Sequence, residues 1–139
     1  MKQSFDELVL STKGRGLYDT TPLIINWVDN QEIQDGLLTM LIQHTSASLL
    51  INENWDSDVQ RDLESFFSRL VKDGDSLFTH TIEGDDDMPA HIRTALTQTN
   101  LSIPVNNGEM LLGQWQGVYI FEHRYNEFER KIKMHLIGE

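Results

Sequence analysis

Cysteine is absent from the 139 residues, so disulfides, iron–sulfur clusters and zinc–thiolate sites are excluded together. Any metal would have to be held by His, Asp, Glu, Asn or water. Long apolar runs are missing too. The fullest, Leu37–Leu38–Thr39–Met40–Leu41–Ile42, falls far below the roughly 20 residues that a membrane helix needs. Met1–Asp6 is polar where the apolar centre of a secretory leader would lie, and Leu8–Val9–Leu10 is too short to serve as one. These features imply a cytoplasmic protein that makes no membrane contact.

Cations are scarce: 11 Lys and Arg stand against 22 Asp and Glu, for a net charge of −11. Such a surface repels a phosphate backbone, which argues against nucleic acid as a partner. It leaves open a small phosphorylated substrate in a locally basic or metal-containing pocket. Familiar catalytic signatures are also lacking. There is no Walker loop and no G-x-G-x-x-G, and Ser46 and Ser48 lack the G-x-S-x-G surroundings of a hydrolase elbow.

What is present reads as one α+β domain over residues 1–139, a mainly antiparallel sheet with two or three helices and no linker or repeat. Ser4–Thr12 alternates as a strand, Lys13–Gly16 turns, and Leu17–Thr20 returns as its hairpin partner. Pro22 follows a capping Thr20 or Thr21 and opens a helix with Leu23, Ile24, Trp27 and Val28 on its apolar face. The Leu37–Gln43 strand reads as buried on both faces. Asp56 or Ser57 starts a helix to Val71 with an apolar stripe of Val59, Leu63, Phe66, Phe67 and Leu70. Pro89 marks the start of another helix, Ala90–Thr97. Pro104 places Leu101–Val105 at a sheet edge or bulge, and Asn106–Asn107–Gly108 forms a hairpin turn. Val118–Phe121 is a buried strand, and Arg130–Ile137 alternates as a half-exposed one.

The chemistry gathers where apolar runs stop. Leu37–Ile42 gives way to His44–Thr45–Ser46, and Leu49–Ile51 to Asn52–Glu53–Asn54. Thr79–His91 holds His80 and His91 around three consecutive aspartates. Val118–Phe121 ends in Glu122–His123–Arg124. His44, His80 and His91 all sit at element ends, and neutral imidazoles plus one carboxylate, Glu53 or Glu122, would make a borderline metal site with open positions. His135 lies in the alternating last strand and reads as surface. His123 points away from Glu122 if their strand stays regular.

These segments, HTSASLLINEN, EGDDDMPAHI, IPV–NNG, GQWQGVYIFEHR and the final LIGE, in that order resemble the YjbQ-like family of small bacterial and archaeal proteins. The resemblance spans nearly the whole chain. It implies a compact α+β subunit, a homotrimer with sites near subunit boundaries, and a weak, secondary thiamine-phosphate synthase activity. It implies His44, Thr45, Ser46, Glu53 and Glu122 as catalytic residues, and His44, His80 and His91 as ligands of a divalent metal, zinc or magnesium. The chain departs from the family pattern at Asp86–Asp87 and His123–Arg124, which places Asp87 and His123 outside the expected ligand set. In the synthase reading a pyrimidine diphosphate joins a thiazole phosphate and pyrophosphate leaves, with charge on the departing group met by a metal plus Arg15 or Arg124. The alternative is a trimeric metal- or small-ligand-binding protein whose synthase activity is incidental.

Overall fold

The first strand, β1 (Lys2–Lys13), pairs along all twelve residues with the last, β8 (Glu127–Gly138), in the computed structural model, which describes residues 1–139. Between them run β2 (Gly16–Asp19), α1 (Thr21–Asp29), β3 (Gly36–Ile42), β4 (Ala47–Glu53), α2 (Ser57–Leu70), α3 (Asp87–Leu96), β5 (Asn100–Asn106), β6 (Glu109–Met110) and β7 (Gln116–Glu122). Two antiparallel sheets result, one ordered β1-β8-β3-β5-β6 and the other β2-β7-β4. The architecture is the expected α+β. No helix is long and apolar enough to cross a membrane.

The pairing of β1 differs from the hairpin expected with β2. β1 belongs to the five-stranded sheet and β2 to the three-stranded one. Gly14 and Gly16, at φ 87° and 149°, let the chain turn a corner between sheets instead of folding back. Gln43–Ser46 joins β3 to β4 in the same way, and His123–Asn126 joins β7 to β8. Hydrogen bonds knit the corners: Gly14 N–H to Asn126 O at 3.4 Å, Arg15 Nε to His123 O at 2.7 Å, and Gln43 N–H to Lys131 O at 3.1 Å.

The main core lies between the sheets and under α1, built from Ile24, Val28, Leu38, Met40, Leu49, Ile120, Ile132 and Leu136. Strand β3 alternates, contrary to the expectation of two buried faces. Leu38, Met40 and Ile42 are inside, while Leu37 and Leu41 are 41% and 45% exposed on an outer sheet face that no helix covers. A smaller core, with Phe67 edge-on to Phe121 at 5.5 Å, joins α2 and α3 to the three-stranded sheet. Of the α2 stripe only Phe67 is buried, and Phe66 and Leu70 face outward. Pro104 sits just beyond the two pairs that β6 makes with β5, as an edge proline should. Asn107 and Gly108, both at positive φ, form the expected turn.

Candidate metal centre

Helix α3 begins three residues earlier than Pro89 suggests, at Asp87, because a first-turn proline lacks only an N–H that the helix does not use. Asp87 and His91 therefore stand at i and i+4 on one face. The loop before α3 turns at Gly84, at φ 106°, and returns His80 to the same point. His80 Nε2 lies 2.6 Å from Asp87 Oδ2, and His91 Nε2 lies 3.1 Å from that oxygen. The three donor atoms fall within 4.8 Å of one another. Asp87 itself is almost fully buried. Burial alone would raise its pKa, but the contact with His80 and the charges of His91 and Arg124 outweigh burial and hold it below the usual carboxylate range.

His91 Nδ1 donates to the Thr45 carbonyl at 2.8 Å, which leaves the lone pair of a neutral ring on Nε2. That lone pair faces a carboxylate oxygen, and two acceptors at 3.1 Å need a proton or a cation between them. Ligand atoms around a tetrahedral zinc stand about 3.3 Å apart, given bonds near 2.0 Å. A carbonyl fixing the second ring nitrogen is the usual support of a ligating histidine. The donor types and the 3.1 Å His91–Asp87 spacing thus fit a divalent metal, while His80, at 2.6 Å, stands at hydrogen-bond distance from the same oxygen. The donors are His80, His91 and Asp87, and the carboxylate is neither Glu53 nor Glu122.

His44 stands beside this trio, not within it. Its Nε2 accepts the Lys131 N–H at 2.8 Å, so that nitrogen is not free to ligate. Burial and the neighbouring Arg130 guanidinium push its pKa down, favouring the neutral ring. With Thr45, His91, Thr94, Ala95, Thr97 and Thr99 it lines a cleft of about 370 Å³ that opens next to the trio. Thr45 contributes its carbonyl to the trio. Ser46 is buried, its hydroxyl held by Arg130 Nη2 at 3.0 Å.

Glu122 is wholly buried and saturated: Thr12, both Arg130 contacts, and the His123 and Arg124 N–H groups all reach its oxygens. It ties the corner together, and its lone pairs are engaged by these donors. Glu53 is displaced further. It accepts from the N–H groups of Trp55 and Asp56 at 3.0–3.2 Å, six residues along β4 from the corner, on the order of 20 Å by strand rise. The G-x-W-Q residues Gly113, Trp115 and Gln116 share that far end, where Gln116 pairs with Glu53 and Asn54 reaches the Gln116 carbonyl at 3.4 Å. Arg15 forks onto Asp73 at 2.7 and 2.9 Å. Arg124 is engaged by Asp86 and Asp87.

The profile of the YjbQ-like UPF0047 family matches residues 6–139. The chain belongs to that family. A UPF0047 protein of Synechocystis sp. is 44% identical over 138 residues, covering 99% of this chain and 94% of its own. The UPF0047 protein YjbQ of Escherichia coli is 44% identical over 133 residues, covering 95% and 96%. Among solved structures, an uncharacterised YjbQ/UPF0047 protein of Clostridium acetobutylicum superposes with a TM-score of 0.85 at 31% identity, covering 95% of this chain and 99% of its own. A YbjQ-like protein of unknown function from Sulfolobus solfataricus gives 0.90 at 23% identity, covering 99% of both chains, and shows the shared fold. UPF0047 membership establishes the fold and leaves the chemistry to the side chains.

Asp87 and Arg130 at this corner carry roles that the sequence does not announce, and Arg124, expected at an anionic substrate, is bound to carboxylates instead. Asp87 looked like one of a solvated acidic run, and only its i, i+4 spacing to His91 marks it. Arg124 follows a strand end and Arg130 lies in an alternating strand, with no local sign that each buries its guanidinium. Arg130 sits 3% exposed, between Glu122 and Ser46.

Proposed function

We propose that this chain binds a divalent metal through His80, Asp87 and His91 and receives a small phosphorylated ligand in the adjoining Thr-lined cleft. The observation that carries the reading is the pair of acceptors, His91 Nε2 and Asp87 Oδ2, held 3.1 Å apart while the other ring nitrogen is engaged by Thr45. A bound divalent cation supplies Lewis-acid polarisation of a phosphoryl or carbonyl oxygen. The chain itself supplies orientation. Thr45 fixes the His91 ring, Arg124 fixes Asp87, and His44 presents a neutral edge to the cleft.

Thiamine-phosphate synthesis is the transfer that the family resemblance suggests, and it needs positive charge at the departing diphosphate. Arg15 and Arg124 are both bound to carboxylates, so neither is free to provide it. That favours a metal- and ligand-binding protein whose synthase turnover is incidental. Metal analysis of purified protein, before and after chelation, tests the reading. Failure to bind zinc, manganese or magnesium at micromolar concentration removes it. Thiamine-phosphate formation that disappears in Asp87→Asn would return the transfer to first place.

A homotrimer belongs to the same proposal. Phe5 and Val9 on β1 and Leu37 and Leu41 on β3 share the uncovered outer face of the five-stranded sheet, through the register of β8 between them. Exposed side chains in that number favour a partner surface. Light scattering that returned a monomer mass at micromolar concentration would exclude the trimer.

A further inference from the structure

Resting on the metal reading above, we infer that Arg124 is the residue that sets how Asp87 meets the metal, and with it which metal the site accepts. Arg124 Nη1 donates to Asp87 Oδ1 at 2.8 Å, its Nε to Asp86 Oδ2 at 3.1 Å, and its Nη2 to the Glu83 carbonyl at 2.9 Å. The guanidinium is buried, and its backbone N–H is itself held by Glu122 Oε2 at 3.2 Å. Asp87 therefore has one oxygen occupied by a fixed cation and one, Oδ2, turned toward His80 and His91. Swinging the carboxylate to offer both oxygens would break a charge-assisted hydrogen bond inside the protein.

Two consequences follow for the ligand. A single carboxylate oxygen beside two imidazoles suits zinc or a similar first-row transition ion. Calcium collects six to eight oxygens, and magnesium keeps an octahedral shell of oxygens and water, so this donor set serves neither. The Arg124 charge also offsets that of Asp87, which weakens purely electrostatic attraction and leaves the imidazole nitrogens to hold the ion. The site is thereby biased toward borderline ions and against hard ones.

The test measures zinc and magnesium affinity of the wild-type chain, Arg124→Met and Arg124→Lys by chelator competition and calorimetry. Visible spectra of the cobalt-substituted proteins and thermal unfolding of the metal-free forms accompany it. The wild type should bind zinc and ignore millimolar magnesium. Arg124→Met should lose about 10–100-fold in zinc affinity, with an altered cobalt spectrum once Oδ1 is released. Arg124→Lys, which keeps the charge but cannot fork across Asp86 and Asp87, should fall between the two. Should Arg124→Met fail to fold, the lysine variant and its spectrum decide alone. Zinc affinity and cobalt spectrum unchanged from wild type in a folded variant would overturn the role given to Arg124. A wild-type chain that binds no zinc would instead remove the metal reading on which it rests.

Discussion

His123 has no solvent exposure, and its ring lies 4.4 Å from that of Phe121. Nε2 meets the Ser48 hydroxyl at 2.9 Å, and Nδ1 has no hydrogen-bond partner. Burial, reinforced by Arg93, Arg15 and Arg130, pushes its pKa down to about 3. An unfolded histidine titrates near about 6.5, so between those values the unfolded chain binds a proton that the native chain refuses. Stability is complete above the unfolded value, is lost as pH falls through the window, and levels off below the native value. From pH 7 to 4.5 the loss from this ring alone is about 2.5 kcal/mol, reaching about 4.5 kcal/mol near pH 2. Against a typical total of about 5–15 kcal/mol, that is enough to make the fold acid-labile. His123→Gln keeps a donor near Ser48 and removes the titration. Urea unfolding of both proteins at pH 7 and 4.5 isolates the effect, because Asp86, Asp87 and Glu7 contribute equally to each. The wild type should lose about 2–3 kcal/mol more than the variant. A difference below about 1 kcal/mol, or an NMR titration placing the ring near its ordinary value, would refute the argument.

Other outcomes follow from the same geometry. Arg130→Met strands the buried Glu122 carboxylate and should cost about 3–5 kcal/mol, read by denaturant midpoint at unchanged slope. Gly138→Ala places a methyl 2.0 Å from the Asp35 carbonyl, opposite Gly36, and should cost about 1–3 kcal/mol or more in thermal unfolding. His80→Ala or His91→Ala should lower metal content with the fold intact, whereas His135→Ala, whose ring stacks on Phe5 at 4.1 Å and meets Gln3 Oε1 at 3.1 Å, should leave it unchanged. Metal retention should also fall on acidification, since ligating imidazoles must be deprotonated, and equilibrium dialysis across pH measures this.

Local pattern made most elements readable, because capping residues, turn glycines and alternation act within a few positions. Asp56 does accept the Asp58 N–H at 2.9 Å as a helix cap, and Asn107–Gly108 does turn a hairpin. What stayed hidden was partnership at long range. The turn at Gly14–Gly16 looks the same whether the next strand pairs with β1 or leaves for another sheet. The choice is made by β8, more than a hundred residues away. The apolar run of β3 carries no mark that Leu37 and Leu41 stay exposed while Leu38, Met40 and Ile42 are buried. The corner residues show the same limit. His80, from the loop before α3, and His91, within α3, do come together on Asp87. Yet Asp87 needed the true start of α3 to join them, and His44 turned to a backbone amide that no spacing rule reveals.

The position of β8 in the five-stranded sheet also bears on synthesis. It lies between β1 and β3, so β1 has no neighbour in that sheet until β8 has been made. Nascent β1 would wait through the synthesis of more than a hundred further residues as an unpaired template. Such a topology makes folding slow to begin and nearly all-or-none once it does, because one late strand closes two ladders together.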